Sequence, residues 1–370
     1  MQGNNVLGVL FGYVHEERVR TLTENRVMAS IPYAGRYRLV DFPLSNMVNA
    51  GINKVGIITE QNYMSLMDHL GSGKAWDLSR KNEGLFLLPP FGAQTSRREG
   101  KIESLASIER FIKHSVEDYV LLSDCDTAIN IDYKKVFDFH QENRADITVI
   151  YRHGDSPDTE KNCVFTIDPE NVIREMYIKR GRDYDCNYGI GMYLISKKKL
   201  LELISDCMSR NLYDFDRDIL QCNIKEFRVC GYEFKGTSYT ITSFDAYFNA
   251  NMALSDPKVR NDLFHPSRPI YTKVKDNMPT RYGLGASAKN SIVAAGCVIE
   301  GEVENCVLFR GVKVCKGARV RNCVLMQGST VGENVKLDYV VSDKNVEFTA
   351  EKTLMGYSTY PVFIQKGSVV

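Results

Sequence analysis

The first two-thirds of the chain, up to about residue 254, alternate short apolar runs with stretches of helical spacing. Short runs rich in Val, Ile and Leu are typical of buried strands. The predicted strands are Val6–Leu10, Val55–Ile58, Tyr119–Leu122, Ile147–Ile150, Cys163–Ile167, Met192–Ile195 and Arg228–Phe234. The predicted helices are Leu44–Ala50, Tyr63–Leu70, Glu103–Lys113, Tyr133–Glu142, Lys198–Cys207 and Phe244–Ser255. Strands that alternate with helices favour a mostly parallel sheet covered on both faces.

Small and acidic residues mark several helix ends. Gly51 follows the first predicted helix, where a C-terminal cap is usual, and Asp132 precedes Tyr133–Glu142, where its carboxylate can cap the start. We expect Asp245 to start the last predicted helix in the same way.

The pattern changes after residue 255. Pro257, Pro266, Pro269 and Pro279 occur close together, and this density predicts an extended connector. We therefore expect a first domain of residues 1–255, a linker of residues 256–281 and a last domain of residues 282–370.

The last domain contains an internal repeat. Asn305–Val320 (NCVLFRGVKVCKGARV) and Asn322–Leu337 (NCVLMQGSTVGENVKL) start 17 residues apart, and Asn290–Val303 is a shorter copy. Aliphatic residues at intervals near six, with Gly and Asn at the corners, predict a left-handed parallel β-helix. The alternative is an antiparallel β-sandwich, but the internal repeat argues against that fold. Coils of this kind stack in one dimension and leave open ends, so we predict an oligomer.

Composition narrows the class of protein. Lys and Arg number 47 and Asp and Glu 46 in 370 residues, so the net charge of +1 argues against a nucleic-acid partner. Ten cysteines without a CxxC pair predict reduced thiols in a cytoplasmic protein, with Cys297, Cys306 and Cys323 as core residues. No signal peptide and no apolar run of about 20 residues is present, so no membrane partner is expected. The six histidines lack zinc-site spacing, and Arg97-Arg98-Glu99 is interpreted as a polar loop.

Several motifs together resemble the glucose-1-phosphate adenylyltransferase (ADP-glucose pyrophosphorylase) family along essentially the whole chain. They are Arg18–Thr23, Ile31–Asn46, the single Trp76, Tyr119–Asp126 and Phe244–Met252. The resemblance implies an α/β fold, with a Rossmann-like, GT-A-like nucleotidyltransferase domain on a mixed sheet and a C-terminal left-handed β-helix. Active members transfer an adenylyl group from ATP to glucose 1-phosphate, and Mg²⁺ neutralises the phosphates.

The resemblance also implies that most catalytic groups are replaced. The glycine-rich phosphate loop of the family falls on Tyr13–Glu17, which contains two glutamates and no glycine. Backbone N–H groups approach phosphate oxygens most closely where glycines allow it. The lysine that follows the loop falls on Met28, and the second metal carboxylate falls on Thr240, a poor Mg²⁺ ligand without carboxylate partners.

Remnants of the site persist. The resemblance places family residues on Arg18, on Asp126 as the first metal carboxylate, and on Lys179 at the sugar phosphate. Other family residues are replaced. Cys125 stands where the family has a glycine before the metal carboxylate, and Ile178 stands where it has a glutamate before the lysine. The sugar-binding serine of the family falls near Gly189, and its nucleotide and sugar pocket segment falls on Gly100–Ser104. Asp124 and Asp245 are the nearby carboxylates that could substitute for the missing metal ligand.

This pattern of loss is similar to that of GlgD-type members of the family. It implies a protein of glycogen biosynthesis that is weakly active or inactive alone and modulates a catalytic subunit in a mixed tetramer, with self-association also possible. No cofactor is predicted, and Mg²⁺ is expected only with residual activity. The alternatives are a nucleotidyltransferase with a relaxed site, and a metabolite-binding sensor or assembly protein.

Three arginines are candidates for an effector site. In active relatives the positions of Arg26, Arg36 and Arg38 lie near the β-helix and bind phosphorylated metabolites, and an arginine fork suits two phosphate oxygens. The plain alternative is a salt-bridged basic surface with Asp41 as a partner. The family lysine before Arg26 falls on Asn25, which weakens the effector hypothesis.

Overall fold

The computed structural model describes residues 2–89 and 100–370. The segment Arg97-Arg98-Glu99 therefore lies outside the described residues. The strands of the first part are β1 Val6–Phe11, β2 Pro32–Tyr33, β3 Tyr37–Arg38, β4 Lys54–Ile58, β5 Gly84–Leu88, β6 Tyr119–Asp124, β7 Thr127–Ile129, β8 Ile147–Gly154, β9 Asn162–Ile167, β10 Ile173–Lys179, β11 Cys186–Ser196, β12 Val229–Glu233 and β13 Ser238–Thr240. The α-helices are α1 Arg20–Thr23, α2 Asp41–Asn49, α3 Met64–Leu70, α4 Lys101–Ser107, α5 Glu109–Lys113, α6 Tyr133–Glu142, α7 Lys197–Ser209, α8 Phe244–Ala253 and α9 Pro257–Leu263.

Nine of these strands form one central sheet in the order β10-β9-β11-β6-β1-β4-β5, with β8 between β11 and β12. Strands β1, β4, β5 and β6 are parallel, whereas β11 runs antiparallel to β6 and to β8. The sheet is therefore mixed, as the family resemblance implies, and the expectation of a mostly parallel sheet was wrong beyond β6. Apolar clusters cover both of its faces.

The apolar pattern located seven strands of the central sheet and missed the other two, β5 and β10. The short strands β2, β3, β7 and β13, which lie outside this sheet, were also not predicted. The predicted helix Glu103–Lys113 is interrupted at Ile108, whose φ of −109° and ψ of 14° end α4 before α5 starts. The Asp132 cap is confirmed, because its carboxylate accepts a hydrogen bond from the Lys134 N–H, and Gly51 follows α2 with a positive φ. Asp245 is not the cap of α8, since the Ser243 hydroxyl fills that role and accepts from the Ala246 N–H at 3.0 Å.

The proline-rich segment is not extended throughout. Asp256 caps α9 and Pro257 occupies its first turn, where a missing N–H costs nothing, so the extended-connector prediction was wrong for Pro257–Leu263. Residues 264–280 contain neither helix nor strand.

The last part forms three parallel five-stranded sheets that stack into the predicted left-handed β-helix. The sheets are β14 Arg281–Tyr282, β17 Val298–Ile299, β20 Lys313–Val314, β23 Thr330–Val331 and β26 Glu347–Phe348; β15 Ser287–Lys289, β18 Glu302–Glu304, β21 Arg319–Arg321, β24 Lys336–Asp338 and β27 Thr353–Met355; and β16 Ile292–Val293, β19 Val307–Leu308, β22 Val324–Leu325, β25 Val340–Ser342 and β28 Val362–Ile364. Asn290, Asn305 and Asn322 take left-handed backbone conformations at equivalent corners, which explains the repeated asparagine.

The cysteines are placed as the sequence predicts. Cys297, Cys306 and Cys323 are buried inside the β-helix, and all ten cysteines, which lie within the described residues, are free thiols. None of the described helices combines the length and apolarity that crossing a membrane requires.

The third sheet of the β-helix packs against the first part of the chain. Val307, Val324 and Val341 share one apolar cluster with Phe248 of α8 and Phe42 of α2. This contact holds the β-helix beside the segment that carries the three candidate arginines.

Candidate functional site

A cleft of about 440 Å³ opens at the carboxyl ends of β1 and β6. Ligand sites of sheets with parallel strands usually lie at this edge. The cleft is lined by the segment after β1, the start of α4, the end of β6, a bulge in β11 and β13. His15, Arg18, Lys101, Asp124, Asp126 and Thr240 are the lining residues that carry the chemistry discussed below.

The segment Tyr13–Glu17 does not form an anion cradle. His15 adopts a left-handed conformation with φ of 61°, and a short 3-10 helix starts at Glu16. The Glu16 carboxylate accepts a hydrogen bond from the Met28 N–H at 2.9 Å, so the glutamate faces the position of the missing lysine. The Tyr13 hydroxyl is hydrogen-bonded to the Ser104 hydroxyl. This segment therefore replaces the glycine-rich turn of the family, and contacts of its own side chains fix its conformation.

Two buried carboxylates lie at the end of β6, and basic side chains engage both. The Lys101 ammonium donates to Asp124 Oδ2 at 2.8 Å. His15 Nδ1 lies 2.7 Å from Asp126 Oδ2, while the Thr127 hydroxyl donates to Asp126 Oδ1 at 2.9 Å. Asp124 is 4% exposed and Asp126 is 2% exposed, so these contacts are shielded from water.

Burial and charge act together on the ionisation of these groups. Burial raises the pKa of Asp124 to about 6, although the charge of Lys101 opposes the shift. Burial lowers the pKa of His15, but the hydrogen bond and charge of Asp126 outweigh it, and the net shift is upward. The pKa of Lys101 is likewise raised, because the carboxylates of Asp124 and Asp216 outweigh the burial that lowers it. Lys101 is therefore a resident cation of the cleft.

The residues at this position do not fit Mg²⁺. Mg²⁺ requires near-octahedral oxygen ligands, usually carboxylates with waters and substrate phosphates. Three of the four carboxylate oxygens already accept or share hydrogen bonds, and Thr240 presents a hydroxyl that is bonded to Thr127 at 3.0 Å. Residues 2–89 and 100–370 contain no cluster of three or more acidic, histidine or cysteine side chains with metal-site geometry.

The structure brings together two of the three predicted remnants. Arg18 and Asp126 both line the cleft, but the Arg18 guanidinium bonds the Asp158 carbonyl at 2.7 Å and its carboxylate at 3.2 Å. Lys179 ends β10 outside the cleft lining, and its ammonium pairs with Asp183 at 2.6 Å. Asp245, proposed as a substitute carboxylate, lies on α8 and does not line the cleft.

The roles of Lys101 and His15 were not predicted from the sequence. Both residues stand inside segments identified as altered, but their partners Asp124 and Asp126 are 23 and 111 positions away. The sequence does show that each altered segment contains a basic residue. It therefore indicated a positive charge near the cleft, but it could not indicate which carboxylate each residue contacts.

The three candidate arginines have different surroundings. The Arg26 guanidinium is buried and forms two hydrogen bonds of 2.7 and 2.8 Å with the Asp343 carboxylate of the β-helix. Arg38 donates from its guanidinium to the carbonyl and hydroxyl of Ser65, and Asp41 accepts from the Arg38 backbone N–H. Burial lowers the pKa of Arg38 to about 10.

Arg36 lines a second cavity, of about 530 Å³, between the first part of the chain and the β-helix. Lys273, Lys275 and Arg310 line the same cavity. Burial and then the neighbouring Arg310 lower the pKa of Lys275, and burial and Arg36 lower that of Arg310. In the part of the chain that the structure describes, Arg36, Lys275 and Arg310 form no ion pair with a carboxylate. Positive charge therefore predominates at this cavity, although Asp41 and Asp68 partly offset it.

Comparisons with known proteins agree with this architecture. Residues 15–256 match the nucleotidyl transferase family, and residues 276–359 match the GlmU-like C-terminal hexapeptide family. Glycogen biosynthesis protein GlgD of Bacillus subtilis (strain 168) is 36% identical over 100% of this chain and 98% of its own length. GlgD of Geobacillus stearothermophilus is 40% identical over 86% of this chain and 83% of its own. Glucose-1-phosphate adenylyltransferase of the same organism is 32% identical over 82% of this chain and 80% of its own.

Proposed function

Because the chain belongs to the nucleotidyl transferase family and to its GlgD group, we propose that it acts in glycogen biosynthesis. It is a subunit with little or no activity of its own, which modulates a catalytic glucose-1-phosphate adenylyltransferase in a mixed tetramer. The observation that carries the proposal is that basic side chains engage both buried carboxylates. His15 contacts Asp126, the position of the family's first metal carboxylate, and Lys101 contacts Asp124, the carboxylate that could substitute for the second.

The charge of the cleft supports a non-catalytic role. Within residues 2–89 and 100–370, the permanent cations that line the cleft are Lys101, Arg18 and Lys161, and each is paired with an aspartate. Asp216 and Glu160 add further negative charge to the lining. A triphosphate that enters this cleft meets carboxylates, and the cations that the described part of the chain supplies there are already paired, which disfavours ATP.

The β-helix supports a role in assembly. Strands β14, β15 and β16 are edge strands of its three sheets, so their outer backbone groups have no partner strand within the described residues. Exposed edges of this kind are templates for contacts with another chain. A mixed oligomer would cover them while leaving the degenerate cleft unused.

The test is a paired assay in which pyrophosphate release is measured for a catalytic relative alone and with this chain added. We expect the added chain to change kcat or KM of the catalytic relative and to co-elute with it in size-exclusion chromatography. Asp126→Asn in this chain is the control. It should leave the modulation unchanged within about twofold, because the proposed role does not use the cleft chemically.

Unchanged kinetics without co-elution would contradict the partner role. A modulation abolished by Asp126→Asn would favour the second candidate, an enzyme with a relaxed site, since Arg18 and Asp126 still face one cleft.

We further propose that the cavity lined by Arg36, Lys275 and Arg310 is the effector site, and that it takes a phosphorylated metabolite. Unpaired cations gathered at one cavity favour an anion, and arginine forks hold phosphate oxygens in pairs. Arg26 contributes to the joint between the two parts of the chain, because Asp343 already holds its guanidinium.

Inorganic phosphate is the probe for this site. We expect phosphate to raise the melting temperature of the intact chain, and Arg36→Ala with Arg310→Ala to weaken phosphate binding at least about tenfold, since two charge-assisted contacts are lost. Lys336→Ala is the matched control, because it removes an exposed β-helix cation that does not line the cavity. Equal phosphate affinity in the double variant and the intact chain would rule out this cavity.

A further inference from the structure

We propose that the Lys101 ammonium occupies the place of a divalent cation beside Asp124 and Asp126, so that a resident cation balances the charge of these carboxylates and the cleft rejects Mg²⁺. The inference rests on the assignment of the nucleotidyltransferase cleft and is independent of the partner role. It makes Lys101 the residue that determines which cation this cleft accepts.

The surroundings of Lys101 form a built cation site. The ammonium donates to Asp124 Oδ2 at 2.8 Å and lies 5.4 Å from the ring centroids of both Phe11 and Tyr193. Aromatic faces attract a buried cation, and a carboxylate at hydrogen-bond distance completes its charge compensation. The Lys101 side chain is 15% exposed, so water contributes little to this compensation.

The backbone of β11 beside Asp124 leaves room for the contact between Asp124 and Lys101. Strand β11 is irregular between Gly189 and Met192, and Gly191 has a φ of 70°. A Cβ atom at Gly191 would lie 2.1 Å from Asp124 Oδ2, the oxygen that accepts from Lys101. Glycine at this position therefore makes room for the Asp124 carboxylate in the orientation that meets the ammonium.

A divalent ion would have to displace these contacts. Asp126 shares Oδ2 with His15 and accepts at Oδ1 from Thr127, so an ion that binds either oxygen competes with a contact already made. The remaining oxygen, Asp124 Oδ1, is buried without a hydrogen-bond partner, and a single monodentate oxygen does not meet the Mg²⁺ requirement. An Mg²⁺ ion beside Asp124 would also lie close to the Lys101 ammonium, and two cations repel strongly away from water.

The test measures Mn²⁺ binding by electron paramagnetic resonance of the free ion, which is independent of turnover. We expect no saturable binding by the intact chain and at least about tenfold tighter binding by Lys101→Met, which removes the ammonium but retains a long side chain between the two rings. Lys101→Arg retains the charge and should reject Mn²⁺ as the intact chain does. Lys161→Met is the matched control, since it removes a cation from the same cleft that pairs with Asp214, and should not admit the ion.

Saturable Mn²⁺ binding by the intact chain that Asp126→Asn abolishes would overturn the inference, and this result does not depend on whether Lys101→Met folds. Equal Mn²⁺ binding by Lys101→Met and Lys161→Met would also overturn it, because the effect would then be one of overall charge. A chain that binds Mn²⁺ and remains inactive refutes this inference alone, whereas rapid turnover refutes the proposed function.

Discussion

Purified alone, the chain is expected to release pyrophosphate from ATP and glucose 1-phosphate at least about 10⁴-fold more slowly than a catalytic glucose-1-phosphate adenylyltransferase with Mg²⁺. Three contributions are absent together: the glycine-rich cradle replaced by Tyr13–Glu17, the lysine replaced by Met28, and the second carboxylate replaced by Thr240. Loss of one preorganised charge or donor typically costs about 10²–10³ in rate. Groups that act as a unit do not contribute additively, so 10⁴ is a lower bound rather than the product of the single effects.

The measurement is a coupled pyrophosphate assay on the chain expressed in a host without its own adenylyltransferase. Asp126→Asn is the control, because any residual rate that belongs to this cleft should depend on its buried carboxylate, whereas a contaminant's rate would not change. A rate within tenfold of the catalytic relative, abolished by Asp126→Asn, would contradict the prediction.

Replacement of Arg26 by Met is expected to lower the free energy of unfolding by about 3–5 kcal/mol. Arg26 and Asp343 are 2% and 3% exposed and are joined by two short hydrogen bonds, so removal of the guanidinium leaves a buried carboxylate without its main partner. This pair links residues 317 positions apart, one after α1 and the other after β25. The variant should therefore loosen the joint between the β-helix and the first part of the chain.

Urea denaturation followed by circular dichroism measures this effect, and two further variants interpret it. Arg26→Met with Asp343→Leu should recover most of the loss, since the pair is then replaced by apolar groups and no unpaired charge remains. Arg18→Met is the matched control, because its partner Asp158 is 62% exposed and such a pair contributes only about 0–1 kcal/mol. Equal destabilisation by Arg18→Met and Arg26→Met would contradict the prediction, because the buried pair would then contribute no more to the free energy of unfolding than the exposed pair.

Local patterns predicted those elements whose residues interact mainly with near neighbours. The strand β1 and the helix α6 follow from runs of apolar residues and from a capping aspartate, and the β-helix follows from a repeat of 17 residues. Predictions failed where local chemistry allowed two outcomes. Pro257 starts a helix as readily as it interrupts one, and a serine two positions before Asp245 competes for the same cap.

The candidate site was predictable as a set of losses but not as a set of contacts. Tyr13–Glu17, Met28 and Thr240 are visible as replacements as soon as the family motifs are aligned along the chain. That Lys101 meets Asp124 depends on the position of α4 relative to the end of β6, and on the bulge in β11 that accommodates the carboxylate. The arginines also could not be told apart from the sequence. Arg26 is buried and binds Asp343 of the β-helix, whereas Arg36 lines a cavity.

The amino-acid sequence by itself thus determined most of the order of strands and helices and the repeat of the β-helix, because these depend on residues adjacent or regularly spaced along the chain. The family motifs added the replacement of the glycine-rich phosphate loop. Only the tertiary structure decided the direction of β11, the pairing of Lys101 with Asp124, the burial of Arg26 against Asp343 and the positive cavity at Arg36. The physical reason is that electrostatic partners and ligand space are set by distances in three dimensions, and packing between remote segments, rather than local propensity, sets those distances.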